Sequence, residues 1–227
     1  MKKYLCGFLF ISLSRLSYTM DFMKIIIRLI FVFLILEIGS AAYVKGVEPI
    51  SVSSDVEKRL KERAVEAKVY CEEKGFDINY CFLVDFSIHS GKYRFFIWDF
   101  KGDSVKCASL CAHGYGMKST VDKPVYSNVE GSHCSSLGKY KVGVRSYSKW
   151  GINVHYKLHG LEKTNSNAFK RYVVLHSYTP VPAEEVYPSY LALGISEGCP
   201  VICDCVMKEV DKLLKVAKKP LLLWIFE

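Results

Sequence analysis

Residues 171–201 read R-Y-V-V-L-H-S-Y-T-P-V-P-A-E-E-V-Y-P-S-Y-L-A-L-G-I-S-E-G-C-P-V, and the chain is most simply read as a scaffold for two of them, His176 and Cys199. Tyr172 to Leu175 is an apolar, β-prone run of the kind found inside a sheet. His176 and Ser177 fall where that run ends, which puts an imidazole at the mouth of a strand. Pro180, Pro182 and Pro188 then impose an irregular loop. Cys199 follows, flanked by Gly198 and Pro200 and outside any periodic element. A thiol in such a setting has accessible backbone around it. Neighbouring groups can activate it as a thiolate, and the N–H groups of Gly198 and Cys199 can hold an oxyanion. A cysteine that only packs as a small hydrophobe is expected within an apolar run instead, although composition alone leaves that reading open.

The order His, loop, Ser196-Glu197-Gly198-Cys199 resembles the catalytic signature of the murein L,D-transpeptidase catalytic domain family (YkuD-like), in which a histidine precedes a Ser/Thr-His-Gly-Cys motif. Here 23 positions separate His176 from Cys199, and Glu197 stands where the motif usually has a second histidine. That departure is most similar to a branch found in Bacteroidetes-like bacteria. Gly131 to Tyr140, G-S-H-C-S-S-L-G-K-Y, and Leu158-His159-Gly160 also resemble family segments. The resemblance covers roughly residues 82–226.

It implies a mainly β fold, an L,D-transpeptidase-like β-sandwich with an N-terminal helix and a helix after the nucleophile. It also implies an acyl transfer in which His176 takes the Cys199 proton or stabilises a thiolate, and the main-chain carbonyl of Ser177 orients the imidazole. Gly198 contributes to the oxyanion site, and Ser196, His159 and Gly160 line the substrate groove. The expected substrate is a peptidoglycan stem peptide. D-Ala leaves, and an amine takes its place to give a 3→3 cross-link. Water in place of the amine would make the protein an L,D-carboxypeptidase, and a non-catalytic wall-binding protein of the same fold is a further alternative. A papain-like protease is disfavoured because its nucleophile precedes its histidine. No cofactor or metal is expected.

The rest of the chain fits around this centre. Half of its 227 residues are hydrophobic, enough for one sizeable core. Val56, Leu60, Ala64, Ala67 and Cys71 recur at helical spacing between a capping-box pattern, Ser54 with Glu57, and the stop signal Gly75. Tyr80–Ile88, Arg94–Asp99 and Ser104–Cys111 read as strands, with Lys101-Gly102-Asp103 as a hairpin turn. Tyr147–Lys157 reads as a further strand. The glycines of His113-Gly114-Tyr115-Gly116 and the Gly131–Tyr140 segment suit close approach of an extended ligand. Beyond Cys199, a helical stripe of Val206, Val210, Leu213, Leu214 and Ala217 stops before Pro220, and Leu221–Phe226 is a final buried strand.

Residues 1–42 carry the basic start, apolar stretch and small-residue end of a secretory signal peptide, with the true start at Met20 or Met23; a retained anchor, tethering the protein to the inner membrane, is the alternative. The expected organisation is therefore a leader or anchor over 1–42, a helical segment over 43–78 and the catalytic domain over 79–227, in the periplasm or cell envelope. Five basic and two acidic residues lie before residue 43, so the remainder of the +8 chain carries +5. No interleaving of basic and aromatic residues argues for nucleic acid. Eight cysteines follow the leader. Cys107 and Cys111 read as a bridge or as plain buried thiols, and Cys203-x-Cys205 is a poor match to zinc-site spacing.

Overall fold

The structure, a computed structural model, describes residues 52–227; the leader expected over residues 1–42 lies outside them. The order of elements is α1 (Ser54–Lys74), β1 (Tyr80–Asp85), β2 (Phe95–Asp99), β3 (Ser104–Ser109), β4 (Cys111–Ala112), β5 (Gly138–Tyr147), β6 (Val154–Gly160), β7 (Val174–Ser177), β8 (Val201–Ile202), α2 (Asp204–Val216) and β9 (Leu222–Phe226). Among the described residues, no helix is long and apolar enough to cross a membrane.

Strands β1, β2 and β9 are apolar almost throughout because both of their faces are covered. Phe82, Val84, Phe95, Ile97, Leu223 and Ile225 point into one core. Their neighbours Cys81, Leu83, Phe96, Trp98, Leu222 and Trp224 point into a second core beneath α1. The period of two thus separates two apolar layers on opposite sides of a single sheet. Helix α1 closes the second layer with Leu60, Ala64, Ala67 and Cys71, the stripe legible in the sequence. Its N-cap is Ser53 rather than Ser54, without a side-chain cap bond, and Gly75 ends it in the left-handed conformation at φ 72°.

The nine strands run β3-β2-β1-β9-β5-β6-β7-β8-β4. The two outermost strands are consecutive in the chain, separated only by Leu110, so the sheet folds over the first core until its edges nearly meet. This is the expected mainly β sandwich with one helix before the sheet and one after the cysteine loop. The single strand read over Ser104–Cys111 is split at Leu110, which is wholly buried. Arg94 stitches the seam. Its buried guanidinium donates to the Cys111 carbonyl at 2.6 Å and lies 2.8 Å from His113 Nδ1. Burial first, and then Arg94, push the His113 imidazole down to about 4. A neutral ring can accept from Arg94 while donating through Nε2 to the Thr120 carbonyl at 2.8 Å.

The strand expected over Tyr147–Lys157 is in fact the end of β5, a turn across Ser148–Asn153 and the start of β6. Gly151 and Asn153 adopt positive φ there, at 56° and 61°, a reversal that periodicity alone does not reveal. Helix α2 is tied to this hairpin by Asp211, which accepts from Arg145 Nε at 2.7 Å, Tyr156 Oη at 2.8 Å and Lys215 Nζ at 2.7 Å. Burial would raise this carboxyl, but Arg145, Lys215 and Tyr156 outweigh it and hold it well below the ordinary carboxylate range. A depressed folded value contributes stability above the unfolded value of about 4 that disappears as pH falls towards the folded one. Asp211→Asn is therefore expected to lose about 2 kcal/mol at pH 7. In thermal melts from pH 7 to pH 2, its deficit against wild type narrows below pH ~4; a constant deficit contradicts this assignment.

Candidate active site

Strand β7 ends at His176 and Ser177, and β8 runs parallel beside it with His176 opposite Val201. Cys199 lies two residues before Val201, so the loop delivers its side chain to the same end of the sheet. The thiol is half-buried and accepts the Val174 N–H at 3.4 Å, and it lies 4.0 Å from the Tyr172 carbonyl. His176 and Cys199 border one cleft of about 650 Å³, together with His155, Arg171, Tyr172 and Ser196. Among the described residues all eight cysteines are free thiols, Cys107 and Cys111 included. The Cys203 sulfur caps α2 by accepting the Val206 N–H at 3.4 Å.

The histidine is oriented by main chain. Its Nδ1 lies 3.0 Å from the Ser177 carbonyl; a carbonyl only accepts, so Nδ1 carries the proton and Nε2 the lone pair. Ser177 also holds the 148–153 turn, its Oγ accepting the Ile152 N–H at 3.1 Å. Burial lowers His176 below its ordinary 6.5, with neighbouring His155 adding to the effect and the Ser177 carbonyl opposing it. Burial likewise raises the Cys199 thiol above 9, against the Val174 N–H and Arg171, which favour the thiolate. Thiol and imidazole therefore face one cleft as uncharged groups at neutral pH, a nucleophile and a candidate general base.

The cysteine loop is shaped from within. Ser196 Oγ accepts the Gly198 N–H at 3.0 Å and donates to the Cys199 carbonyl at 2.6 Å. Ser196 borders the cleft, but its hydroxyl is committed to the loop. The Gly198 N–H is occupied in the same way, which leaves the Cys199 N–H as the donor of the expected pair not engaged by Ser196. Gly198 has φ 113°, and a Cβ on it would stand 2.5 Å from the Cys134 carbonyl oxygen. Beneath the loop lies the 131–136 segment. Ser135 Oγ donates to the Gly198 carbonyl at 3.3 Å, and Arg171 clamps the segment through the Cys134 carbonyl at 2.6 Å and Ser136 Oγ at 2.6 Å.

Other expected groove residues lie elsewhere. His159 sits further along β6, stacked on Phe169 with ring centroids 4.8 Å apart, and Gly160 packs against the Asn165 backbone; neither borders the cleft. Gly114 and Gly116 are packed against the backbone of residues 132–135 rather than open to a ligand. Glu197, mostly exposed at the rim, lies 3.9 Å from His133 Nδ1. The histidine that sequence reasoning missed is His155, directly opposite His176 across the antiparallel β6–β7 pair. The pattern Val154-His155-Tyr156 carried that signal, since the residue between two core-facing positions must face the other side of the strand.

A cysteine on a positive-φ glycine loop, sharing a cleft with an imidazole fixed by a main-chain carbonyl, is an arrangement able to carry nucleophilic acyl transfer. The family described as L,D-transpeptidase catalytic domain matches residues 53–224, and the chain belongs to that family. Among solved structures it is similar to the helical cell shape determining protein Pgp2 from Campylobacter jejuni, at 11% identity and a TM-score of 0.42, covering 65% of this chain and 47% of that one. It is also similar to an L,D-transpeptidase from Xylanimonas cellulosilytica, at 9% identity and a TM-score of 0.35, covering 70% of this chain and 68% of that one. The chain thus spans about half the length of Pgp2. No curated protein matches the sequence.

Proposed function

We propose that this protein is an exported cysteine transpeptidase that acts on peptidoglycan stem peptides in the cell envelope. The observation that carries the reading is the joining of Cys199 and a carbonyl-oriented His176 in one cleft, in a chain of the L,D-transpeptidase family. The donor is a tetrapeptide stem. His176 Nε2 takes the thiol proton as sulfur attacks the carbonyl carbon before the terminal D-Ala. The tetrahedral oxyanion is held by the Cys199 N–H, and losing such a donor typically costs on the order of 100-fold in rate. The C–N bond then breaks, His176 returns the proton to the departing D-Ala amine, and a thioester remains on Cys199. An amine of a second stem attacks that thioester, its surplus proton passes by His176 to the sulfur, and a 3→3 cross-link results.

Export rests on the leader expected over residues 1–42, and a retained tether is the alternative form of that segment. Tetrapeptide muropeptides incubated with the protein separate the possible outcomes. Dimers with D-Ala release support transpeptidation, and D-Ala release without dimers identifies an L,D-carboxypeptidase. Absence of any product would leave a wall-binding protein of this fold.

The pH dependence of kcat/KM follows from the uncharged pair. The active form has neutral His176 and protonated Cys199, so the rate falls on the acid side only below pH 6.5 and on the alkaline side only above 9. A narrow bell centred between those values contradicts the neutral-pair reading.

A further inference from the structure

His155 takes no part in the chemistry proposed above. It is directly opposed to His176 in the β6–β7 register, and opposed residues of an antiparallel pair carry Cβ atoms about 5 Å apart. The two side chains therefore stand side by side on the wall of the cleft. The Tyr147 main chain favours a proton on the His155 ring, and no side-chain hydrogen bond fixes that ring among the described residues; one ring nitrogen faces the strand of Tyr147. The other, Nε2, is buried without a hydrogen-bond partner among the described residues, on a residue only 7% exposed. A buried polar atom left unpaired is costly and rare in a native structure, and on a cleft wall a ligand can supply the missing partner. Burial first, and then Lys157, disfavour the charged ring; in the neutral ring with its proton on Nδ1, Nε2 presents a lone pair that requires an N–H or O–H donor.

The ring of Tyr172 stands edge-on to His155 with 6.2 Å between centroids. It is 61% exposed, so turning it aside removes no core packing and opens the cleft above His155. Tyr147, Trp150 and Tyr178 border the same cleft. This aromatic rim suits a donor carried on an alkyl chain better than it suits water.

Resting on the proposed transfer reaction, we infer that His155 is the binding residue for the second substrate: its Nε2 accepts a hydrogen bond from the attacking amine and aims the nitrogen lone pair at the thioester carbonyl. The new C–N bond forms, the C–S bond breaks, and the amine's surplus proton reaches the sulfur through His176, with His155 holding the nucleophile in place. The thioester-forming half of the reaction does not need His155.

The test compares wild type, His155→Phe and His155→Gln, with tetrapeptide stem as donor and a diamino-acid tripeptide stem as acceptor. Acylation of Cys199 is followed by intact mass and transfer by dimer yield. For His155→Phe, transfer falls at least about tenfold and by well more than acylation does, the KM for the acceptor rises and acyl-enzyme accumulates. His155→Gln, which restores an acceptor oxygen, recovers part of the transfer. His155→Asn, too short to reach, provides a second loss variant if the phenylalanine does not fold in a melting assay. Equal loss of acylation and transfer, or no change in either, overturns the inference. A wild type that never becomes acylated overturns the transfer reaction itself and this inference with it, an outcome visible before any variant is compared.

Discussion

Cys199→Ala is expected to lower D-Ala release from a tetrapeptide stem by about 10⁴-fold or more, because removing a covalent nucleophile removes the pathway and not merely a contact. Cys199→Ser should fare little better. A hydroxyl is a far weaker acid than a thiol, and the neutral His176 in the same cleft is already a weakened base, lowered below its ordinary value by burial. Both variants should melt close to wild type, since the side chain is only half-buried and its partners are the Val174 N–H and the Tyr172 carbonyl. Retention of more than a tenth of the release rate in the alanine variant would show that the sulfur is not the nucleophile.

The second large effect is expected from a residue with no side chain. Gly198 has φ 113°, and an added Cβ would meet the Cys134 carbonyl oxygen at 2.5 Å. That oxygen already receives Arg171 Nη2 at 2.6 Å, so the added methyl would drive the nucleophile loop away from the platform beneath it. A displacement of roughly 1 Å at a reacting centre costs about 100-fold. Gly198→Ala should therefore lose at least that much kcat/KM and should also lower Tm by several degrees. Gly194→Ala is the control. Its φ is 100°, but a Cβ there meets nothing within 4 Å, so it isolates the conformational penalty from the clash. Equal effects of the two substitutions would remove the role assigned to close packing under Cys199.

Much of this layout was legible in the sequence where a signal is local. The α1 stripe and its glycine stop, the α2 stripe, the final apolar strand and the placement of His176 at a strand end all follow from periodicity and chain breakers. What the sequence concealed depends on contacts distant in the chain. The split at Leu110 exists because the two edges of the folded sheet meet there, and the 148–153 turn depends on positive φ at Gly151 and Asn153 and on Ser177 Oγ from another strand. The Gly198 N–H was expected to be free for an oxyanion, yet the loop's own Ser196 occupies it. The family resemblance points to His159; the alternation around His155 shows which face of the strand it takes, but only the cross-strand register sets it against His176.

The proposed function stands or falls with Cys199 accepting an acyl group from a peptidoglycan stem. The most direct test is the intact mass of the protein after brief incubation with tetrapeptide stem, followed by fragmentation to place any adduct. The expected result is a mass increase equal to the stem less D-Ala, confined to Cys199 and absent in Cys199→Ala. Release of D-Ala without an adduct on Cys199, or an adduct that persists in the alanine variant, would contradict it.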